Sequence, residues 1–161
     1  MRVSITKRGN RNQLACVRAD GTSVVANLGP GLPHHDLAHF VVESRFGLKE
    51  GFFGNIARGY SPAQLSDKEI IKRLGSESAL AEVLARALGS LSTGACRPEQ
   101  FEELVNTELS QWSIATIRVS PEVLDAMMAE FNSLLKRYRA LREEESMTLE
   151  FSCGSGVRAA P

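Results

Sequence analysis

Three observations in the sequence predict an α+β fold with a small antiparallel sheet. From Val3 to Leu28 polar and apolar side chains alternate between turn dipeptides; the middle of the chain carries apolar residues at three- and four-residue steps; Ser146 to Ser152 alternates once more. Strand-period and helix-period stretches are therefore segregated rather than interleaved, which favours a meander packed on a mainly helical body, joined by a strand from the C-terminal end.

The elements follow in order. Val3 and Ile5 alternate with Ser4 and Thr6, Gln13 to Arg18 carries apolar and β-branched residues, and Val24, Ala26 and Leu28 alternate. Arg8-Gly9-Asn10-Arg11-Asn12 and Asp20-Gly21 separate these runs with residues that tolerate positive φ, the chemistry of hairpin turns. Gly29-Pro30-Gly31-Leu32-Pro33 then breaks the pattern, and Pro33 has the fixed φ of a first helical turn. Ser61-Pro62-Ala63-Gln64 and Ser66-Asp67-Lys68-Glu69 both have capping-box spacing, and Gly75 reads as a helix stop. Ala79 to Leu91 places Leu80, Leu84, Ala87, Leu88 and Leu91 on one stripe. Pro98 opens a helix with Phe101, Leu104, Val105 and Leu109. Ser120-Pro121 caps the longest helix, in which Leu124, Met127, Met128, Phe131, Leu134, Leu135, Tyr138 and Leu141 form a core stripe up to the Arg142-Glu143-Glu144-Glu145 run. Ile114 to Val119 is expected as a further strand. Residues 1–153 read as one domain and 154–161 as a flexible tail.

Composition limits the function classes. The chain has 161 residues with 43% hydrophobic and 24% charged side chains, enough for a core without disulfides and unlike a disordered or membrane-embedded chain. Nineteen Lys plus Arg balance nineteen Asp plus Glu, which argues against coating nucleic acid or an anionic membrane. Arg2, Lys7, Arg8, Arg11 and Arg18 cluster before the first acid, but without interleaved aromatics they read as a charged hairpin edge. The N-terminal segment has no apolar run of the signal-peptide kind, and no stretch approaches the roughly 20 apolar residues of a spanning helix, so a cytoplasmic location is expected. Cys16, Cys96 and Cys153 lack metal-knuckle spacing and read as buried apolar residues. Neither a phosphate-binding glycine loop nor a nucleophile elbow is present.

All three histidines fall between positions 34 and 39. Leu32 to Gly47 is expected as a helix of about three to four turns. His35, Asp36, His39 and Glu43 share one sector, while Leu37, Ala38, Val41 and Val42 fill the other side; His34 points away from the stripe. A helix that is apolar around most of its circumference must hydrogen-bond its polar stripe, ligate a metal with it, or open it to a cleft. His35 and His39, one turn apart, suit zinc or another divalent ion. Glu43 lies about 12 Å along the axis from His35, too far for one ion to hold all three side chains. Either a third ligand comes from elsewhere, with Glu69, Glu77, Glu99, Glu102 and Glu103 among the candidates, or Glu43 orients His39 from behind. Asp36 and Glu43 are the catalytic candidates, as base or orienter.

His35-Asp36-Leu37-Ala38-His39 resembles the His-Glu-x-x-His signature of the zincin metallopeptidases, with Asp where that motif has Glu. The resemblance implies metal ligation by His35 and His39 and a water-polarising role for Asp36. Over Leu32 to Gly59 the chain also resembles a group of small bacterial proteins that share a His-Asp-x-x-His-Phe-x-x-Glu core followed by a glycine-aromatic segment; that resemblance implies no particular activity. Gly51-Phe52-Phe53-Gly54-Asn55-Ile56-Ala57-Arg58-Gly59 reads either as a pocket wall, with Phe52 and Phe53 lining it and Arg58 meeting an anionic group, or as a short helix packed closely through its glycines. Two functional readings follow: a metal-dependent hydrolase acting on a small molecule or peptide, and a non-enzymatic interaction module in which the stripe is a buried polar network and the helix from Pro121 supports a homo-oligomer.

Overall fold

The computed structural model describes residues 1–29 and 32–152. Strands β1 (Arg2–Thr6), β2 (Asn12–Val17) and β3 (Ser23–Leu28) form the expected meander, and β4 (Ser146–Glu150) returns beside β1, giving an antiparallel sheet ordered β3-β2-β1-β4. Between β3 and β4 run α1 (Leu32–Phe46), α2 (Phe52–Ala57), α3 (Pro62–Leu65), α4 (Lys68–Ile71), α5 (Ser76–Thr93), α6 (Phe101–Gln111) and α7 (Pro121–Ala140). The fold is α+β, and the C-terminal strand joins the sheet. The tail expected over 154–161, like Cys153, lies outside the described residues.

The alternation in the sequence becomes the two faces of the sheet. Register places Val3 opposite Cys16 and Leu149, Ile5 opposite Leu14 and Met147, and Leu28 opposite Asn12; all are buried. The other face is polar, with hydroxyl pairs Ser4–Thr148 at 3.1 Å and Thr6–Ser146 at 2.7 Å. Asn12, a buried amide in an apolar row, accepts from the Tyr138 hydroxyl at 2.8 Å and so ties the sheet to α7.

Helix α1 is the centre of the molecule and packs on α5 and α7. Phe40 on α1 meets Phe53 and Phe151, with ring centroids 6.0 and 5.9 Å away, joining the helix to α2 and to the end of β4. The apolar stripe of α7 (Leu124, Met127, Phe131, Leu134, Leu135) is buried within the chain. No helix among the described residues is long and apolar enough to cross a membrane.

Three local expectations are corrected. Ile114 to Val119 is not a strand: side chains of α6 take its backbone groups, Asn106 bonding both N–H and C=O of Ile117 at 2.9 and 3.0 Å and Glu102 accepting from Val119 N–H at 2.8 Å. Gly75 starts a helix instead of ending one, standing in extended conformation as the N-cap of α5. The second cap is Asp67, whose carboxylate accepts from Glu69 N–H at 2.7 Å, while the Ser66 hydroxyl turns back to Pro62 C=O at 3.0 Å. The capping box at Ser61 and Gln64 forms as written. Of the basic hairpin, Arg8 pairs with Glu144 at 2.9 Å, Lys7 donates to Leu141 C=O at 2.9 Å, and Arg18 donates to the carbonyls of Ile56 and Tyr60 at 2.6 and 2.9 Å. These contacts make the patch a clasp between the sheet and the helical body.

Candidate metal centre

One turn of α1 separates His35 from His39, and their rings meet edge to face with centroids 4.7 Å apart. Both Nε2 atoms point at one carboxylate oxygen, Glu82 Oε2 on α5, at 3.4 Å from His35 and 3.1 Å from His39. His35, His39 and Glu82 thus present three ligand atoms within 4.8 Å of one another, a group that could hold a metal ion. Two imidazoles and a carboxylate are a donor set of catalytic zinc, which keeps a further coordination position for water or substrate.

Glu82 was not among the sequence candidates for the third ligand. The five that were lie elsewhere in the described structure or outside this group: Glu69 pairs with Lys72 at 2.7 Å, Glu77 accepts from Lys49 N–H at 3.1 Å, Glu102 holds Val119, and neither Glu99 nor Glu103 joins the histidines. A signal existed. Glu82 is the one acid in the apolar run Ala79 to Ala85, where its neighbours Ala81, Val83, Leu84 and Ala85 are buried.

Behind His39 stands Glu43. Its carboxylate is wholly buried, accepts from His39 Nδ1–H at 3.0 Å and from Gly54 N–H at 2.9 Å. This is the arrangement of a carboxylate that orients a metal-binding imidazole so that Nε2 faces the ion. Gly51 and Gly54 make room for it. A Cβ on Gly51 would fall on the Glu43 carboxylate, and one on Gly54 would come within 2.5 Å of the Lys49 carbonyl. The glycine spacing therefore lets the loop from Lys49 wrap a buried carboxylate, a use of glycine that depends on absent side chains and not on unusual φ.

Burial opposes the charged form of His39, but the hydrogen bonds to Glu43 and Glu82 carry its pKa up to about 9. Hydrogen bonds from His35 and His39 hold the Glu82 carboxyl well below the usual carboxylate range. Arg86, on α5 one turn from Glu82, lies 3.4 Å from its Oε1 and is itself anchored to Glu108 at 2.6 Å. Asp36 is different. Burial pushes its carboxyl up to about 6, against the pull of His39 and His35, and its Oδ2 has no hydrogen-bond partner among the described residues. Beside it the Cys16 thiol is pushed to about 12 by burial and by Asp36, so it stays protonated.

His35, Asp36, His39 and Glu82 all line one cleft of about 1130 Å³ between β3, α1, α5 and the short helices. Phe52 lines it too. Phe53, the next residue on α2, turns into the core against Phe40 and Phe151 and is fully buried. Arg58 sits on a separate shallow cleft, paired with Glu50 at 2.6 Å. His34 packs edge-on against Phe131 of α7. The fold and the cleft together define an α+β chain with a two-histidine, one-glutamate group formed between α1 and α5. Comparisons with protein-family models, with curated proteins and with solved structures gave no match, so the reading of the site rests on its geometry.

Proposed function

We propose that the protein is a metal-dependent hydrolase in which His35, His39 and Glu82 hold one divalent ion, zinc being the ion this donor set suits best. The observation that carries the reading is the convergence of the three ligand atoms on the wall of a large cleft that also holds Asp36, whose buried Oδ2 has no hydrogen-bond partner among the described residues. The ion supplies water activation. Asp36 is the group assigned to take the proton of the attacking water and return it to the leaving group, and Glu43 is a positioning residue acting through His39. In the balanced reaction, water adds to the acyl carbon, the bond to the leaving group breaks, and Asp36 ends in its starting state.

The test separates binding from chemistry. Purified without chelator, the wild type should carry about one ion per chain, and Glu82→Ala should lose at least about tenfold in affinity with little change in stability, because Glu82 is half exposed. Asp36→Asn should keep the ion and lose at least about a hundredfold in hydrolysis of an activated ester. A wild type holding under about a tenth of an ion per chain after zinc titration would refute the reading.

Proton competition gives a second check. Binding must displace the Nε2 proton of His39, which the metal-free protein retains up to about pH 9 against an ordinary 6.5. Apparent zinc affinity should therefore rise about tenfold per pH unit across that window and level off above it. A flat profile from calorimetric titration at several pH values would exclude His39 as a ligand.

A second reading is favoured by one observation: both ring nitrogens of His39 are already paired, with Glu43 and Glu82. A structural network linking α1 to α2 and α5 needs no ion. It predicts negligible metal content together with a large stability loss in His39→Ala.

A further inference from the structure

Strand β3 is an edge strand with an unguarded edge. Its sequence, Ser23-Val24-Val25-Ala26-Asn27-Leu28, contains no charge and no proline, the usual devices that keep such an edge from pairing. Among the described residues nothing pairs with its outer side. The phase of the ladder is fixed by the Arg18 N–H to Thr22 C=O bond at 2.8 Å and by the register that follows it. Val24, Ala26 and Leu28 exchange hydrogen bonds with β2, so Ser23, Val25 and Asn27 direct their N–H and C=O groups outward.

That edge opens onto the cleft of the metal group. Five consecutive residues of β3, Val24 to Leu28, line the cleft opposite His35, Asp36 and Glu82. Of the large apolar residues most exposed among the described residues, Ile71 at 48% and Trp112 at 62% line it from the helical side, while Val25 at 57% borders it at the strand edge with its side chain on the sheet face shared with Ala15 and Ser4. An apolar rim gathered at one cleft marks a binding surface rather than scattered surface residues. The charges define the ligand further. The cations lining the cleft of the metal-free protein are already in ion pairs, Lys72 with Glu69 at 2.7 Å, Arg86 with Glu108 at 2.6 Å and His39 with Glu43 and Glu82 at 3.0 and 3.1 Å, and the carboxylates of Asp36 and Glu82 line it as well. An anionic ligand meets no unpaired cation on this wall of the metal-free protein, whereas an uncharged one with apolar side chains meets Val24, Ala26, Leu28, Phe52, Ile71 and Trp112.

We infer that the cleft binds an extended, uncharged, apolar peptide segment, which adds to the sheet as a strand along β3 and covers Trp112. Hydrogen bonds to Val25 and Asn27 set its register, and alternate side chains fall on the face that carries Val24, Ala26 and Leu28. Five residues of β3 offer about 17 Å of edge, room for a segment of four or five residues. The inference deepens the hydrolase reading by naming its substrate class, but binding along β3 does not need the ion.

Trp112 is the single tryptophan of the chain and therefore a built-in reporter. Metal-free wild-type protein is titrated with the capped peptide acetyl-Thr-Val-Phe-Val-Thr-amide and with two versions N-methylated at alternate amides, one in each phase. A saturable blue shift of the emission is expected with the parent peptide. Methylation in the phase that faces β3 should weaken binding at least about tenfold, and methylation in the other phase should leave it within about twofold. Val25→Pro, whose lost N–H points away from β2, should keep its far-ultraviolet spectrum and zinc affinity but lose the peptide. No shift at about 1 mM peptide, or equal binding of both methylated peptides and the parent, would overturn the inference. Zinc titration of the wild type keeps the two readings apart: a wild type that binds the peptide but takes up no zinc sinks the hydrolase reading alone, and one that takes up zinc and hydrolyses the ester with no peptide binding sinks the strand-addition inference alone, while His35→Ala should lose zinc and keep the peptide.

Discussion

His39→Ala is expected to destabilise the metal-free protein by about 3–5 kcal/mol and to abolish zinc binding, whereas His35→Ala abolishes zinc binding at a cost of less than about 1 kcal/mol. The two histidines sit one turn apart on the same helix and both face Glu82, yet their surroundings differ. His35 is partly exposed and pairs only with the half-exposed Glu82. His39 is buried and is the charge partner of Glu43, whose carboxylate is 0% exposed and, among the described residues, otherwise accepts only from Gly54 N–H. Truncating His39 leaves a carboxylate in the core without its counter-charge, and the penalty is the desolvation of that group more than the lost contact. Urea midpoints measure it directly. Adding Glu43→Gln to His39→Ala should recover part of the loss, because the orphaned charge is then gone.

The sign of the pH dependence follows from the same pair. The folded pKa of His39, about 9, lies above its ordinary 6.5. Its contribution to the metal-free protein is therefore complete below about 6.5 and fades as pH rises through 9. The gap in urea midpoint between wild type and His39→Ala should narrow between pH 6 and pH 10. A gap that is constant or widens over that range would mean that His39 is not held as an imidazolium by Glu43 and Glu82.

The sheet was legible because its instructions are local. Alternation at Val3 to Ile5 and Val24 to Leu28, with Asp20-Gly21 between strands, determines face and turn within a few residues. The polar stripe of α1 was legible for the same reason, since His35, Asp36, His39 and Glu43 share a helix and its geometry fixes their sector. What failed depended on partners distant in the chain. Glu82 reaches His39 across 43 residues, and although it is the one acid in the apolar run Ala79 to Ala85, nothing local says which helix its carboxylate meets until α5 is laid against α1. Ile114 to Val119 has strand-like composition, but its backbone is taken by Asn106 and Glu102 of the preceding helix. Phe52 and Phe53 look equivalent in sequence; successive helical residues point about 100° apart, so one faces the cleft and the other the core. Gly75 shows a limit of a different kind, because glycine suits both ends of a helix and the sequence does not say which end it serves.

Gly51→Ala is the second large effect expected, and it reaches the metal group without touching a ligand. Gly51 has φ −72° and ψ −168°, ordinary extended backbone that alanine adopts without strain, so main-chain preference predicts a harmless change. Space predicts otherwise. A Cβ at this position would lie 2.6 Å from both Cγ and Oε1 of Glu43 and nearer still to its carboxyl carbon. The Glu43 side chain cannot simply swing aside, because Oε1 is held by His39 and Oε2 by Gly54 N–H. Relieving the overlap breaks one or both bonds inside the core, at about 2–4 kcal/mol, and frees the His39 ring from the orientation that aims Nε2 at the ion, at about 10- to 100-fold in zinc affinity. Glu43→Asp shortens the crowding side chain by one methylene. In a double-mutant cycle, Gly51→Ala and Glu43→Asp should therefore couple favourably by at least about 1 kcal/mol, the pair being less destabilising than the sum of the singles. Additive losses would place the damage of Gly51→Ala in the loop rather than at Glu43, and would break the proposed link from the glycine segment through the buried carboxylate to the histidine.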